Sequence, residues 1–206
     1  MAKRTERQEA RREQILNGAA RVFSQKGYHA STVDEIAKEL GLTKASIYYY
    51  VSDKSDLLYQ LYKRAMTALL ESQQEILERP DPPNLKLRAM IEEYVRIVTS
   101  ATAVYSVVVL REHQALPPRK RKEIIALRDQ YEQNYQQCIQ EGIEQGIFDA
   151  QDVKMASYVV LGALNWIPNW FNPRGSLSKE QIGCMFAEQL VRGLMARRVE
   201  DAETST

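Results

Sequence analysis

Apolar residues recur every three to four positions along most of this 206-residue chain, and short polar or proline-bearing breaks divide them into segments. From Arg7 to Lys26 the stripe is Ile15, Ala19, Val22 and Phe23, with Gly27 placed to cap the helix end. Thr32-Val33-Asp34-Glu35 opens the next segment as a T-x-x-E capping box, in which Thr32 and Glu35 satisfy each other's orphan amides. Ile36, Ala37 and Leu40 follow at helical spacing. Gly41 then suits the left-handed residue that stops a helix. Leu42 continues the seam, Thr43 can cap, and Lys44 through Tyr50 form another short helix. A fourth starts after Ser52-Asp53 and turns Leu57, Leu58, Leu61, Ala65, Leu69 and Leu70 inward as far as Leu77. Pro80-Asp81-Pro82-Pro83 breaks the pattern, and helices are expected over about 85–100, 101–115, 119–145, 152–166 and 178–196. Glu200 to Thr206 reads as a frayed polar tail.

With few Pro and Gly and long periodic segments, the fold class is all-α. Two helices joined by a turn of this length form a helix-turn-helix, whose second helix can enter the DNA major groove. Such a helix needs small or long polar side chains at its exposed start, and Lys44, Ala45 and Ser46 supply them. Charge agrees. The net charge is only +1, which argues against indiscriminate coating of nucleic acid. Yet residues 1–64 hold 12 Lys and Arg against 8 Asp and Glu, and the remainder 16 against 19. The basic surplus sits on the presumed reading head, where phosphate neutralisation provides affinity. Lys3, Arg4 and Arg7 either reach a minor groove or remain a basic tail.

The apolar run at Val98 to Leu110 is too short and too interrupted for a membrane span, and the first residues lack a secretory apolar core. The expectation is a cytoplasmic protein. Cys138 and Cys184 lack metal-site spacing and read as reduced thiols; with only His29 and His113 present, no metal is expected. No H-E-x-x-H, phosphate loop or nucleophile elbow appears, so no catalytic residue is assigned.

From Phe23 and Gly27 through Thr32, Ile36, Ala37, Gly41, Tyr48, Tyr49, Lys54 and Leu57-Leu58, residue types and spacing resemble the DNA-binding domain of the TetR family of bacterial transcriptional regulators. The resemblance implies a three-helix helix-turn-helix domain over 1–52, a linker helix over 53–80, and a larger helical ligand-binding and dimerisation domain over 81–206. It places base-edge contacts on Lys44, Ala45 and Tyr49, and phosphate contacts on Thr32, Ser46, Tyr48, Tyr50 and Lys54. Lys44 suits guanine O6 and N7, Ala45 a thymine methyl, and Tyr49 a base edge or sugar. Tyr48 has core packing as its alternative. Tyr50 departs from the histidine that many members carry.

The same resemblance implies a homodimer on a palindromic double-stranded operator. The last two helices would form the interface through Val159, Val160, Ala163, Phe186, Leu190, Val191 and Leu194, with intramolecular core as the alternative. A small-molecule effector is expected in the second domain. Gly162-Ala163-Leu164-Asn165-Trp166 and Trp170-Phe171-Asn172-Pro173 are similar to a pattern in members that sense acyl-CoA thioesters, the candidate effector here. Tyr94, Tyr105, Tyr135, Trp166 and Trp170 would furnish an apolar slot, and Arg111 and Arg174 would meet the phosphates. Two rivals stand beside this repressor. One is a CoA-thioester enzyme, with Glu112 and His113 as its only tempting pair and a solvated helix face as their plainer role. The other is an activator or effector-free regulator using the same DNA reader.

Overall fold

A computed structural model describes residues 2–100 and 110–196 of the chain. Among them are eight α-helices: α1 (Ala2–Lys26), α2 (Val33–Glu39), α3 (Lys44–Tyr48), α4 (Lys54–Leu77), α5 (Pro83–Val98), α6 (Pro118–Glu144), α7 (Val153–Trp170) and α8 (Lys179–Leu194). A 3-10 helix spans Leu110–Ala115. The described residues form two compact units. One takes α1 to α3, α4 as far as Ala68, the 3-10 helix and α6 as far as Arg128; the other takes the rest of α4 and α6 with α5, α7 and α8.

The first unit is a small apolar core enclosed by long α1, the start of α4 and two short helices, α2 and α3. Ile15, Ala19 and Phe23 of α1 meet Ile36 and Ala37 of α2, Ile47 of α3 and Leu57, Leu58 and Leu61 of α4, closed by Leu116 and Ile124. Each such aliphatic side chain contributes about 1.5–3 kcal/mol on burial. That is how α2 and α3, too short to hold as isolated helices, are kept in place. Polar ties add to it: Lys120 reaches Asp56 at 2.7 Å, and the Tyr59 hydroxyl donates to Glu123 at 2.5 Å. That hydrogen bond pushes the Tyr59 phenol up to about 12.

In the second unit α5 packs most extensively on α8. A Cβ on Gly183 of α8 would come 3.4 Å from the Glu92 Cα of α5, so the glycine sets how closely the two helices approach. Inside lies a group of tyrosines. Tyr94 donates to Asn165 Oδ1 at 3.0 Å, Tyr131 and Tyr135 hydroxyls are 3.3 Å apart, and Gln73, buried on α4, accepts from Asn134 at 2.8 Å. Burial raises the pKa of all three phenols, which therefore stay neutral donors. Burial also pushes the Cys138 thiol up to about 12, making it an inert core group.

Three expectations need correction. α1 begins at Ala2, earlier than Arg7. The helix expected over 101–115 is, where described, a 3-10 segment with a break at Glu112, ahead of the Pro117-Pro118 pair that bars an α-helix from running on. α7 continues past Trp166 through Pro168 to Trp170, with Ile167 fully buried and Pro168 two residues from the helix end. Residues 101–109, the side chains of Lys3 and Arg4, and the tail from Glu200 lie outside the described part.

Candidate nucleic-acid interface

The recognition helix α3 is held by interactions local in sequence. At the start of α2, Thr32 Oγ1 accepts from the Glu35 amide at 3.2 Å while the Glu35 carboxylate accepts from the Thr32 amide at 2.8 Å. Lys26 donates to the other Glu35 oxygen, and with the Thr32 bonds it holds that carboxyl below its ordinary pKa. Gly41 has φ +62°, the left-handed conformation that lets the Leu42 amide reach back to the Ala37 carbonyl at 2.8 Å. Thr43 Oγ1 then accepts from the Ser46 amide at 3.2 Å and caps α3.

One face of α3 is thereby buried and the other offered to solvent. Ile47 is fully buried, whereas Lys44 and Ala45 are exposed and Tyr49 keeps 70% of its surface. Tyr48 is 44% exposed, so it is not the core residue that its place beside Ile47 suggested. Tyr50 is half-buried with its ring edge against Tyr49, centroids 5.1 Å apart. Ser46 Oγ lies 2.8 Å from Thr43 Oγ1, and Thr32 is exposed beside its capping box.

Two cations of the expected set already have partners. Lys44 Nζ sits 2.7 Å from Asp34 of α2, and this hydrogen bond raises its pKa. Both side chains are solvated, so the pair exchanges readily for a stronger acceptor. Lys54 is different. Its ammonium donates to the Tyr28 and Ser31 carbonyls, each at 2.8 Å, and lies 4.3 Å from the Tyr28 ring centroid. Burial lowers its pKa. It anchors the turn before α2 to the first turn of α4 and leaves one N–H for an outside acceptor.

The expected ligand set separates. Tyr94 and Tyr135 lie together in the core of the second unit, whereas Trp166, Trp170 and Arg174 are exposed, Trp166 by 63%. Trp170 stacks on Phe186 with centroids 5.9 Å apart. Within one chain these aromatics do not form a single slot. Tyr105 and the side chain of Arg111 lie outside the described part.

Of the expected dimer positions, Val160 and Val191 are buried within the chain. Ala163, Phe186, Leu190 and Leu194 are half-buried, and Val159 keeps 64% of its surface. Val159 belongs to a wider exposed apolar face: Met155, Val159, Trp166 and Trp170 follow one side of α7, and Met185 is exposed on α8.

Sequence reasoning missed several groups. His29 Nε2 lies 3.2 Å from Glu112, and His113 faces Tyr62 with ring centroids 6.5 Å apart, so these two are not a solvated helix face. The Tyr62 hydroxyl and His113 Nδ1 are buried without a hydrogen-bond partner. Periodicity does mark Tyr62 as inward, four residues after Leu58; nothing in the pattern pairs it with His113. Among the described residues no cluster of His, Cys, Asp or Glu can hold a metal, and no helix is long and apolar enough to cross a membrane.

Known proteins match this architecture along most of its length. Residues 15–61 match the family model for bacterial regulatory proteins of the tetR family, and residues 80–194 match the Tetracyclin repressor-like C-terminal domain. The fatty acid metabolism regulator protein of Bacillus subtilis is 27% identical over 164 residues, covering 76% of this chain and 83% of its own. The transcriptional repressor KstR2 of Mycolicibacterium smegmatis is 26% identical over 188 residues, with coverage of 90% and 91%. Among solved structures, the TetR family regulator PfmR of Thermus thermophilus superimposes with a TM-score of 0.81 at 35% identity, covering 88% of this chain and 99% of its own. AibR, solved with isovaleryl coenzyme A and operator DNA, gives 0.79 at 27% identity, covering 90% and 98%. With both halves matched and an exposed, capped recognition helix in the first, this chain belongs to the TetR family of transcriptional regulators.

Proposed function

We propose that the chain is a cytoplasmic, homodimeric repressor that grips a palindromic operator through two copies of α3 and releases it when an acyl-CoA thioester binds. The observation that carries the DNA half is the split of α3, with Ile47 sunk in the core and Lys44, Ala45 and Tyr49 presented outward. A helix so presented reads base edges, and two of them one helical turn apart read a two-fold site. Thr32, Ser46, Tyr48, Tyr50 and the remaining N–H of Lys54 set register on phosphates. Residues 1–52 form the reader, 53–80 the link, and 81–206 the effector and dimer part. Family membership makes the chain a regulator and sets the enzyme alternative aside.

The exposed apolar face of Met155, Val159, Trp166 and Trp170 supports dimerisation, since a patch of large apolar side chains along one helix gains by meeting its copy. The effector reading rests on relatives: one is named for fatty acid metabolism, and another was solved with isovaleryl coenzyme A. Release then requires the effector to favour one conformation, typically by ~1–3 kcal/mol of coupling.

The test combines footprinting on genomic fragments with titration by acyl-CoAs of several chain lengths. A protected two-fold site, lost on adding one acyl-CoA but not the free acid, is the expected result. A monomer that protects nothing overturns the DNA reading; operator retention with every acyl-CoA overturns the effector. Falling target expression on deletion of the regulator would make it an activator.

A further inference from the structure

Beside the recognition helix runs a groove of about 270 Å³, walled by Arg11 of α1 together with Leu42, Ser46, Tyr49 and Tyr50. Arg11 belongs to none of the motifs that mark the reader. Several other cations of this unit are engaged with anions or carbonyls: Arg21 with Glu39, Lys26 with Glu35, Lys44 with Asp34, Arg64 with Glu13 and Lys54 with two carbonyls. Arg12 meets the neutral Gln60 away from the groove. Arg11 meets no carboxylate among the described residues; its Nη1 donates only to the neutral Gln14 side chain at 2.7 Å. Its neighbours one turn away on α1 are Arg7, Gln8, Gln14 and Ile15, none of them acidic. Arg7 instead repeats the positive charge at i−4, a pairing that weakens a helix and gains only when an anion lies alongside.

We propose that this groove is a sugar–phosphate subsite, in which the Arg11 guanidinium takes a backbone phosphate of bound duplex DNA from the α1 side. The inference rests on the DNA-reading role proposed above. A planar guanidinium fork matches two phosphate oxygens at once. The Ser46 and Tyr50 hydroxyls, which also line the groove, supply further donors, and Leu42 with the Tyr49 ring gives the deoxyribose an apolar seat. The pairing complements the positions already assigned. Ser46 and Tyr50 approach the backbone from α3 and the residues that follow it, and Arg11 closes on the same strand from another helix. Two elements then fix how α3 lies in the groove. Because a phosphate looks alike at every step, Arg11 adds affinity and orientation without sequence preference.

The test uses the full-length chain, a duplex enriched by the wild-type protein from a random-sequence pool, and a scrambled duplex of equal length. Binding is followed by fluorescence anisotropy between about 50 and 200 mM salt. Arg11→Gln is expected to weaken binding to both duplexes by a similar factor, about tenfold. The plot of log K against log salt should become shallower by about 0.9 for each reading head. Arg11→Lys, which keeps the charge but loses the fork, should retain the wild-type slope. Both variants should melt as the wild type does, since Arg11 is exposed and its hydrogen bond is to exposed Gln14 one turn along the same helix. An Arg11→Gln protein with the wild-type slope overturns the proposal, as does a loss confined to the enriched duplex, which would mean base reading. A wild-type chain that enriches no duplex from the pool overturns the DNA-reading role itself, a result distinct from either.

Discussion

Lys54→Met keeps the aliphatic stem of the side chain and removes only the ammonium, which isolates what that charge does. In the folded chain the ammonium holds the Tyr28 and Ser31 carbonyls at 2.8 Å and sits 4.3 Å from the Tyr28 ring centroid. A hydrogen bond from a charged donor is worth about 1.5–3 kcal/mol in a buried setting. Lys54 is only half-buried, so solvent screening brings each bond down to about 1 kcal/mol. The Tyr28 carbonyl retains the Ser31 hydroxyl, 2.7 Å away, and the ring contact adds about 0.5 kcal/mol at an exposed site. The variant should therefore lose about 2 kcal/mol, or about 4–8 °C in melting temperature for a chain of this size. Thermal and urea unfolding followed by circular dichroism measure it. Binding to the enriched duplex across salt gives the second readout: if the remaining N–H meets a phosphate, the slope flattens by about 0.9 per head on any sequence. An unchanged melting temperature refutes the anchoring argument. A lower one with an unchanged salt slope leaves Lys54 as scaffold and removes it from the phosphate set.

Two further outcomes follow from buried and titrating groups. The Tyr62 hydroxyl approaches the Glu112 and His113 backbone amides without closing a hydrogen bond. Tyr62→Phe should accordingly leave stability unchanged or raise it by about 1 kcal/mol, whereas a loss of that size in urea unfolding would reveal a partner for the hydroxyl. Glu35, whose pKa is lowered from 4.5 by Lys26 and Thr32, contributes stability that is fully present above pH 4.5 and lost as pH falls through its lower folded value. Acid unfolding of Glu35→Gln should be shallower over that window than the wild type's; parallel curves would show that the carboxylate contributes nothing.

The reader was legible along the chain because what shapes it acts between residues three or four apart. A capping box between Thr32 and Glu35, a cap at Thr43 and a left-handed stop at Gly41 all connect near neighbours, and a linear pattern carries them intact. Helical periodicity likewise marked Leu57, Leu58 and Leu61 as inward, because one face of an amphipathic helix must be covered by something. What covers it is another matter. Val159 and Val160 are adjacent and alike, yet one is exposed and the other enclosed, because they point to different sides of α7 and only the packing of the other helices decides which side is filled. The aromatic residues expected to share a slot separate for the same reason: Tyr94 and Tyr135 face inward, Trp166 and Trp170 outward. Contacts between distant segments were likewise invisible in sequence. Lys54 meets backbone carbonyls more than twenty residues away, Lys44 meets Asp34 across the turn, and Arg11 reaches the groove beside α3 from a separate helix. Sequence alone determined most of the helices and the local caps that shape the reader, though not the end of α7 or the 3-10 segment before Pro117. Tertiary structure decided which charges remain free for DNA and which apolar faces remain free for a partner, since a side chain's partners depend on how helices cross in space.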